Sequence, residues 1–321
     1  MKLLFQSHNC RIENINTYGG LEIRYSLNWA HYLTTIGHVP VFAHPAEIFG
    51  ASTQADFTFD AATSDAYRCP DRSHFHNYFS PEAPSYLHCG HPMLHPTRSS
   101  YRQAIENFQH QNLQRFFAPI PYLDSFLPIS MPEPFDRRLL MWANKGSFTP
   151  SFGEHRRQSS MAHLRVLARL SQEFDFEVVF GGAAFVDVGE FEPEVRELLT
   201  KIPHRGLDRI PWTELVKLMC QSKLSINPGG ITGCVFEAIY AKSIPVLCND
   251  FGFFGEEARE ADLLPSAVAV SEEKLEETFR RLLSDREYYY KIHGIFQQGF
   301  EPHRHPAEAW SKIEEYILSS K

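Results

Sequence analysis

A glycine-rich loop between a short apolar strand and a helix is the feature that most restricts how this chain can fold. The segment 224–250 reads LSINPGGITGCVFEAIYAKSIPVLCND, which predicts a strand over 224–227, a loop over 228–233, a helix over 234–242 and a strand over 244–248. Two strands joined through a helix run parallel in the same sheet. In an open α/β sheet the loop that follows such a strand lies at the carboxyl edge, where ligands bind.

The rest of the second half repeats the alternation of strand and helix. Met161, Leu164, Leu167 and Ala168 recur at the spacing of one helix face, which predicts that this face packs on the core. Strands that alternate with helices indicate a parallel sheet covered on both faces. The other predicted strands are 139–143, 176–181 and 267–270, and the other predicted helices are 155–172, 192–201, 212–221, 272–284 and 306–319.

The first half opens with one strand–loop–helix–strand unit and then loses its regular pattern. Its loop contains the pair Gly19 and Gly20, and the sequence over 44–100 is rich in His, Pro and Ser, with few clear elements. The predicted elements are strands over 2–7, 39–43 and 115–120 and helices over 21–36 and 99–112. The opening unit is of the parallel α/β type.

Closely spaced prolines separate the two halves. Pro119, Pro121, Pro128, Pro132 and Pro134 rule out a regular helix or a central strand in this stretch. We therefore interpret the residues around 125–137 as a linker and a hinge. The sequence thus predicts an α/β protein with a Rossmann-like N-terminal domain over 1–130 and a second Rossmann-like domain over 138–305.

Charge and cysteine spacing exclude several other classes of protein. The net charge is −8, from 31 basic and 39 acidic residues, which argues against general nucleic-acid binding. The six cysteines form no CxxC pair, so we expect free thiols, no zinc site and a cytoplasmic location. No apolar run reaches the roughly 18 residues that a transmembrane helix needs.

The glycine-rich loop is the strongest candidate for a ligand site. Glycines let an anion approach the main chain, and the free N–H groups at a helix start favour phosphate. We therefore expect diphosphate at the loop and a ribose at Glu237, one turn into the helix. The alternative is a plain tight turn with a solvated Glu237. The predicted diphosphate and sugar contacts in the loop are Gly229, Gly230, Ile231, Thr232 and Gly233.

Four sequence blocks in the second half occur in a recognisable order. They are IPWTELV at 210–216, LSINP at 224–228, FEA at 236–238 and SIPVL at 243–247. Together they resemble the C-terminal half of GT-B glycosyltransferases, in the group that includes glycogen and sucrose synthases. The opening Gly19-Gly20-Leu-Glu, with Gly37-His38 after the helix, is similar to the Gly-Gly-Ala-Glu and Gly-His opening of that group.

The resemblance implies two Rossmann-like domains that face a central cleft. It implies that Glu237 binds the ribose of a nucleotide sugar, that 229–233 faces the diphosphate and sugar, and that Gly19 and Gly20 lie close to the diphosphate. It also implies that the terminal helix, 306–321, crosses back to the N-terminal domain. Closure about the linker would then exclude water from the donor.

One position departs from the family pattern. Retaining members of the group carry a second glutamate eight positions before the ribose glutamate, and that position here is Gly229. The sequence also resembles the glycine–Thr–Glu arrangement of some inverting GT-B enzymes. The stereochemistry therefore stays open, and so does a loss of catalysis.

Basic side chains near the loop are expected to stabilise the leaving diphosphate, because negative charge develops there as the sugar departs. The candidates are Lys145, after the strand 139–143, and Arg156 or its neighbour Arg157 at the next helix start. GT-B enzymes generally use such groups instead of a metal, and no metal-ligand spacing is present. We therefore expect no metal and no cofactor, with the nucleotide sugar serving as substrate.

A base for the acceptor hydroxyl is expected from the first half. His88 and His91 lie in a predicted strand-end cluster, and a histidine near its usual pKa accepts a proton at neutral pH. The predicted activity is transfer from a UDP-linked or similar sugar to a hydroxyl of a glycan, lipid-linked sugar, metabolite, protein or modified nucleobase. The alternatives are a GT-B sugar-nucleotide epimerase and a non-catalytic nucleotide-sugar-binding protein.

Overall fold

Within the residues described by the computed structural model of this chain, eleven strands form two separate parallel sheets. The described residues are 1–6, 21–43, 57–60, 86–89, 115–116, 121–122, 124, 127–142, 148, 154–181, 191–207, 210–228, 233–248 and 269–319. The strands are β1 (Lys2–Gln6), β2 (Val39–Ala43), β3 (Phe57–Asp60), β4 (Tyr86–Cys89), β5 (Arg115–Phe116), β6 (Leu139–Trp142), β7 (Glu177–Phe180), β8 (His204–Gly206), β9 (Ser222–Ile226), β10 (Ile244–Cys248) and β11 (Ala269–Val270). The helices are α1 (Leu21–Thr35), α2 (Glu154–Leu170), α3 (Pro193–Thr200), α4 (Trp212–Met219), α5 (Gly233–Tyr240), α6 (Glu272–Ser284), α7 (Arg286–Arg304) and α8 (Ala307–Ser319).

The chain divides into two compact units. The first comprises Met1–Asp124 together with Pro302–Lys321, and the second comprises Ser125–Glu301. The proline-rich segment after Asp124 therefore belongs to the second unit, and the terminal helix α8 belongs to the first. Among the helices that the structure describes, none is both long and apolar enough to cross a bilayer.

The first unit is built on a five-stranded sheet in the order β2-β1-β3-β4-β5. Strand β1 pairs in parallel with both β2 and β3, so the opening strand–helix–strand unit has the predicted parallel form. Leu3 of β1 and Trp29 and Leu33 of α1 have no exposed surface and form the core beside the sheet.

The terminal helix α8 packs within the first unit through its apolar face. Trp310 and Ile313 are buried, and the Trp310 ring lies 4.8 Å from the His38 ring, between centroids. Nε2 of His38 also lies 3.7 Å from a carboxylate oxygen of Glu314. Burial and the neighbouring amino terminus lower the pKa of His38, and Glu314 opposes them.

The second unit is built on a six-stranded sheet in the order β11-β10-β9-β6-β7-β8. Every residue of β9 and β10 is buried, as expected for central strands of a sheet covered on both faces. The predicted inward face of α2 is confirmed, because its four apolar residues are at most 6% exposed. All pairs in this sheet are parallel, so its strands end along a single carboxyl edge.

The proline-rich segment is attached to the second unit by a short 3-10 helix, Pro134–Asp136. The Nζ atom of Lys223, in β9, lies 3.6 Å from the centre of the Phe135 ring, and it donates a hydrogen bond to the Leu283 carbonyl at 3.0 Å. The Phe135 ring also meets the Tyr289 ring edge to face at 5.5 Å. Burial lowers the pKa of Lys223 to about 8, and these contacts compensate its buried charge.

Two elements of the second unit differ from the sequence prediction. Helix α7 was not predicted, although its buried residues Tyr289, Ile292, Phe296 and Phe300 follow helical spacing. Strand β8 was not predicted because its sequence, HRG, has no apolar run, which suits a strand at the edge of the sheet.

Candidate functional site

The chain enters the predicted donor loop at the carboxyl edge of the second sheet, where strand β9 ends. Strand β9 ends at Ile226, and the buried Asn227 that follows is fixed there by its backbone N–H, which donates to Val246 at 3.0 Å. Its side-chain amide also donates to the Ser225 carbonyl at 3.1 Å. Helix α5 begins at Gly233, so its amino-terminal N–H groups lie at the end of the loop where an anion is expected.

Glu237 lies in the middle of α5 and has no exposed surface. The indole Nε1 of Trp212 donates a hydrogen bond to its Oε1 at 2.7 Å. Trp212 is the first residue of α4, which follows the edge strand β8 and packs against α5 and β9. The carboxylate that the sequence analysis assigned to a ribose is therefore held by a side chain from a neighbouring helix.

Arg137 fixes the other end of α5. Its side chain is buried, and its Nη1 donates to the Ala241 and Lys242 carbonyls, both at 3.1 Å. It also donates to the carbonyls of Pro132 at 3.1 Å and Ser222 at 3.2 Å. Lys242 has a positive φ of 59°, typical of the left-handed residue that ends a helix. A cation at the helix carboxyl terminus is also favoured by the helix dipole.

An aromatic cluster supports the carboxyl ends of β6 and β7. The Trp142 ring stacks on Phe148 at 5.1 Å and lies 5.2 Å from the Phe180 ring. His163 of α2 lies behind them, 6.1 Å from Trp142, with Nδ1 donating to the Ser159 carbonyl at 2.7 Å. Burial lowers the pKa of His163 to about 4, so the ring is neutral at physiological pH. Its role is therefore to pack within the core of the second unit.

The predicted site residues fall partly within the described residues. Gly233 and Glu237 are in α5, Arg156 is in the first turns of α2, and His88 is the third residue of β4. The side chains of Arg156 and His88 are not described. Residues Gly19, Gly20, His91, Lys145, Gly229, Gly230, Ile231 and Thr232 lie outside the described residues.

Arg157, next to the candidate Arg156, is paired with two carboxylates. It contacts Glu154 through Nε and Glu192 through Nη1, both at 3.0 Å. The positive charge of Arg157 is therefore neutralised by two carboxylates in this structure. This is the arrangement expected of an ordinary surface residue at a helix start. Within the described residues no three His, Cys, Asp or Glu side chains are grouped as metal ligands. Metal independence stays a prediction.

A cavity of about 440 Å³ lies at the opposite, amino edge of the second sheet. Its lining includes Pro132 and Arg137 before β6, Leu139 at the first position of β6, and Cys220 and Gln221 before β9. Because these residues lie at the starts of the strands, the cavity is separate from the carboxyl edge at which the chain enters the predicted donor loop. It lies along the proline-rich segment that Arg137 fixes in place.

No protein-family model matches the chain, and no curated protein matches its sequence. Solved structures do match over nearly the whole length. An α-glucosyltransferase in complex with UDP and a 13-mer DNA matches at a TM-score of 0.58 and 13% identity, over 99% of this chain and 98% of that one. HepE of Anabaena in complex with UDP-glucose matches at 0.57 and 11%, over 99% and 100%. The chain has the GT-B fold.

The same fold occurs in enzymes with a different reaction. A UDP-N-acetylglucosamine 2-epimerase matches at a TM-score of 0.52 and 13% identity, over 98% of this chain and 96% of that one. The GT-B fold predicted from the order of the sequence blocks is therefore confirmed, and it does not by itself separate a transferase from an epimerase. At these identities the comparisons establish the fold alone.

Trp212 and Arg137 are the contacts that the sequence analysis did not assign. Trp212 lies within the block at 210–216 that supported the resemblance, but the sequence of this block did not predict a contact for Trp212. A tryptophan at the start of a helix that follows a strand is a usable signal, because such a position lies at the carboxyl edge. The contacts of Arg137 could not be predicted from the sequence around it, because its four carbonyl partners come from three separate parts of the chain.

Proposed function

We propose that this protein is a glycosyltransferase that moves a sugar from a nucleotide diphosphate sugar, UDP-linked, to an acceptor hydroxyl. The observation that carries the proposal is the position of Glu237 in α5, the helix that follows the glycine-rich loop after the carboxyl end of β9. A carboxylate there accepts hydrogen bonds from ribose hydroxyls. The start of α5 favours the diphosphate. Structures of similar fold that hold UDP or UDP-glucose support this donor.

The remaining roles are proposed with the donor. Gly19, Gly20 and the loop residues 229–233 contact the diphosphate and sugar, and Lys145 and Arg156 offset its charge. A base is supplied by His88 or His91. The position of His88 near the carboxyl end of β4 supports this role, because that edge of a parallel sheet is where ligands bind.

An epimerase is the second candidate, because the fold also occurs in a UDP-N-acetylglucosamine 2-epimerase. A non-catalytic nucleotide-sugar binder is the third, because Gly229 stands where retaining relatives carry a glutamate. Incubation of the full chain with a panel of nucleotide sugars, with and without acceptors, separates the three. Transfer requires an acceptor, epimerisation changes the donor without one, and a binder leaves every donor intact.

The activity is expected to survive EDTA, because helix ends and basic side chains are proposed to carry the charge of the leaving diphosphate. The measurement is the initial rate of sugar transfer before and after dialysis against EDTA. A rate that is lost and then restored by Mn²⁺ would contradict this mechanism.

The acceptor class stays a proposal, and so do the absence of general nucleic-acid binding and the cytoplasmic location.

Replacement of Glu237 by alanine is expected to weaken UDP binding by about 1.5–3 kcal/mol, the usual loss for hydrogen bonds to a charged acceptor. Calorimetric titration of the full chain with UDP measures it. Glu214→Ala is the control, because Glu214 is an exposed residue of α4 that pairs with Lys217 at 2.7 Å. Unchanged affinity in a folded Glu237→Ala variant would show that Glu237 does not bind the ribose.

A further inference from the structure

We propose that Trp212 is a positioning residue for Glu237, whose carboxylate it holds in the orientation that binds the ribose of the donor. The inference rests on the proposed function, since it assigns to Trp212 the support of the proposed ribose contact. The geometry that points to it is the hydrogen bond from the indole Nε1 to Oε1 of Glu237, at 2.7 Å.

The chemistry of this contact is directional. An indole N–H donates and never accepts, so it pairs only with an acceptor oxygen. A hydrogen bond to a carboxylate is charge-assisted, and a length of 2.7 Å is typical of the stronger members of that class. Because Glu237 has no exposed surface, water does not compete for this oxygen, and the contact restricts rotation of the carboxylate.

The indole itself comes from a fixed element. Helix α4 begins at Trp212, and Val216 and Met219 of the same helix have no exposed surface. The helix packs against both α5 and β9, the two elements that flank the glycine-rich loop. A binding group is most precise when its rotamer is set by a hydrogen bond from a rigid neighbour. Trp212 provides such support for the carboxylate.

A positioning role and a merely structural role predict different ligand dependence. If Trp212 only satisfies a buried carboxylate, its loss affects the whole unit, and every nucleotide is affected alike. If it orients Glu237 toward the ribose, its loss weakens only ligands that carry the ribose hydroxyls. UDP and 2′,3′-dideoxyuridine diphosphate differ in those hydroxyls and share the base and the diphosphate.

The test uses Trp212→Phe, which keeps an aromatic ring and removes the N–H. Calorimetry on the full chain is expected to show a Kd for UDP raised about tenfold, and a Kd for the dideoxy nucleotide changed less than about twofold. Trp310→Phe is the matched control, because it removes an indole from α8 and leaves Trp212 and Glu237 in place. A urea midpoint for each variant establishes that it is folded.

A second arm uses Glu237→Ala in combination with Trp212→Phe. If Trp212 acts through Glu237, the tryptophan change is expected to add less than about twofold to the Kd for UDP in the Glu237→Ala background, where the indole N–H has no acceptor at residue 237. This comparison remains decisive if Trp212→Phe lowers stability, because both backgrounds carry the same destabilising change.

Two results would overturn the inference. Equal weakening of UDP and dideoxy nucleotide by Trp212→Phe would show a structural role. UDP binding that depends on Glu237 and is insensitive to Trp212→Phe would show that the carboxylate needs no such support, and it would leave the proposed function intact. Failure of the wild-type chain to bind UDP would instead overturn the proposed function and the inference with it.

Discussion

Replacement of Arg137 by methionine is expected to lower the free energy of unfolding by about 3 kcal/mol, because four backbone carbonyls lose a charged donor at once, those of Ser222 and Ala241 in buried hydrogen bonds. Those carbonyls belong to Pro132, Ser222, Ala241 and Lys242. The side chain is 4% exposed, so water does not replace the lost donors without opening the core. Methionine fills much of the same volume, and the loss therefore reports hydrogen bonding more than packing.

Urea denaturation of the full chain, followed by tryptophan fluorescence, measures this effect. Arg138→Met is the matched control, because Arg138 is the next residue and its ion pair with Asp175 is about three-quarters exposed on both sides. An exposed pair of this kind contributes less than about 1 kcal/mol. Equal losses for the two variants would contradict the assignment of Arg137 as the residue that joins the proline-rich segment to β9 and α5.

Acidification is expected to destabilise the wild-type protein through His163. Its folded-state pKa of about 4 lies below the ordinary 6.5 because the ring is fully buried. The stability linked to the neutral ring is complete above pH 6.5 and is lost as the pH falls toward 4, since the unfolded chain takes up the proton first. This single group contributes a loss of roughly 2–3 kcal/mol between pH 7.5 and pH 4.5.

His163→Met isolates this contribution. Its cost at neutral pH is expected to be about 1 kcal/mol, for the hydrogen bond from Nδ1 to the Ser159 carbonyl, because Nε2 has no hydrogen-bond partner among the residues that the structure describes. The measurement is the change in unfolding free energy between pH 7.5 and pH 4.5 for both proteins, since all other groups contribute to each alike. If the two changes are equal, His163 is not the buried neutral group described here.

The strands could be predicted from the sequence wherever their apolar residues form an uninterrupted run. Strands 139–143 and 244–248 are apolar runs, and both occur within one residue of their predicted bounds. Strand β9 was predicted two residues late, because its first residues, Ser222 and Lys223, are polar. Lys223 is buried in the strand because its ammonium group lies over the Phe135 ring and donates a hydrogen bond to the Leu283 carbonyl. Both partners are remote from Lys223 in the sequence. No local pattern reports such a contact.

Helix α7 shows a different limit of sequence reasoning. Its apolar residues repeat at helical spacing, but its sequence also contains Gly294 and Pro302, which disfavour a helix. Neither residue ends the helix, since burial of one face outweighs local propensity. Gly294 needs no special room, because nothing lies within 4 Å of the position that a Cβ atom would take.

The candidate site could be predicted in its outline and not in its supporting contacts. The loop at 228–233 and Glu237 follow from the order strand, glycine loop and helix, which places them at the carboxyl edge. The hydrogen bond from Trp212 joins helices that lie 25 residues apart in the chain, and only the packing of α4 against α5 creates it. The roles of His88, His91, Lys145 and Arg156 remain proposals.

A crystal structure of the full chain with UDP tests the central claim most directly. The account predicts the diphosphate at the start of α5, beside residues 229–233, and the ribose hydroxyls within about 3 Å of the Glu237 carboxylate. It also predicts that the Trp212 indole still donates to that carboxylate. UDP bound away from α5, or a ribose that does not contact Glu237, would contradict the account.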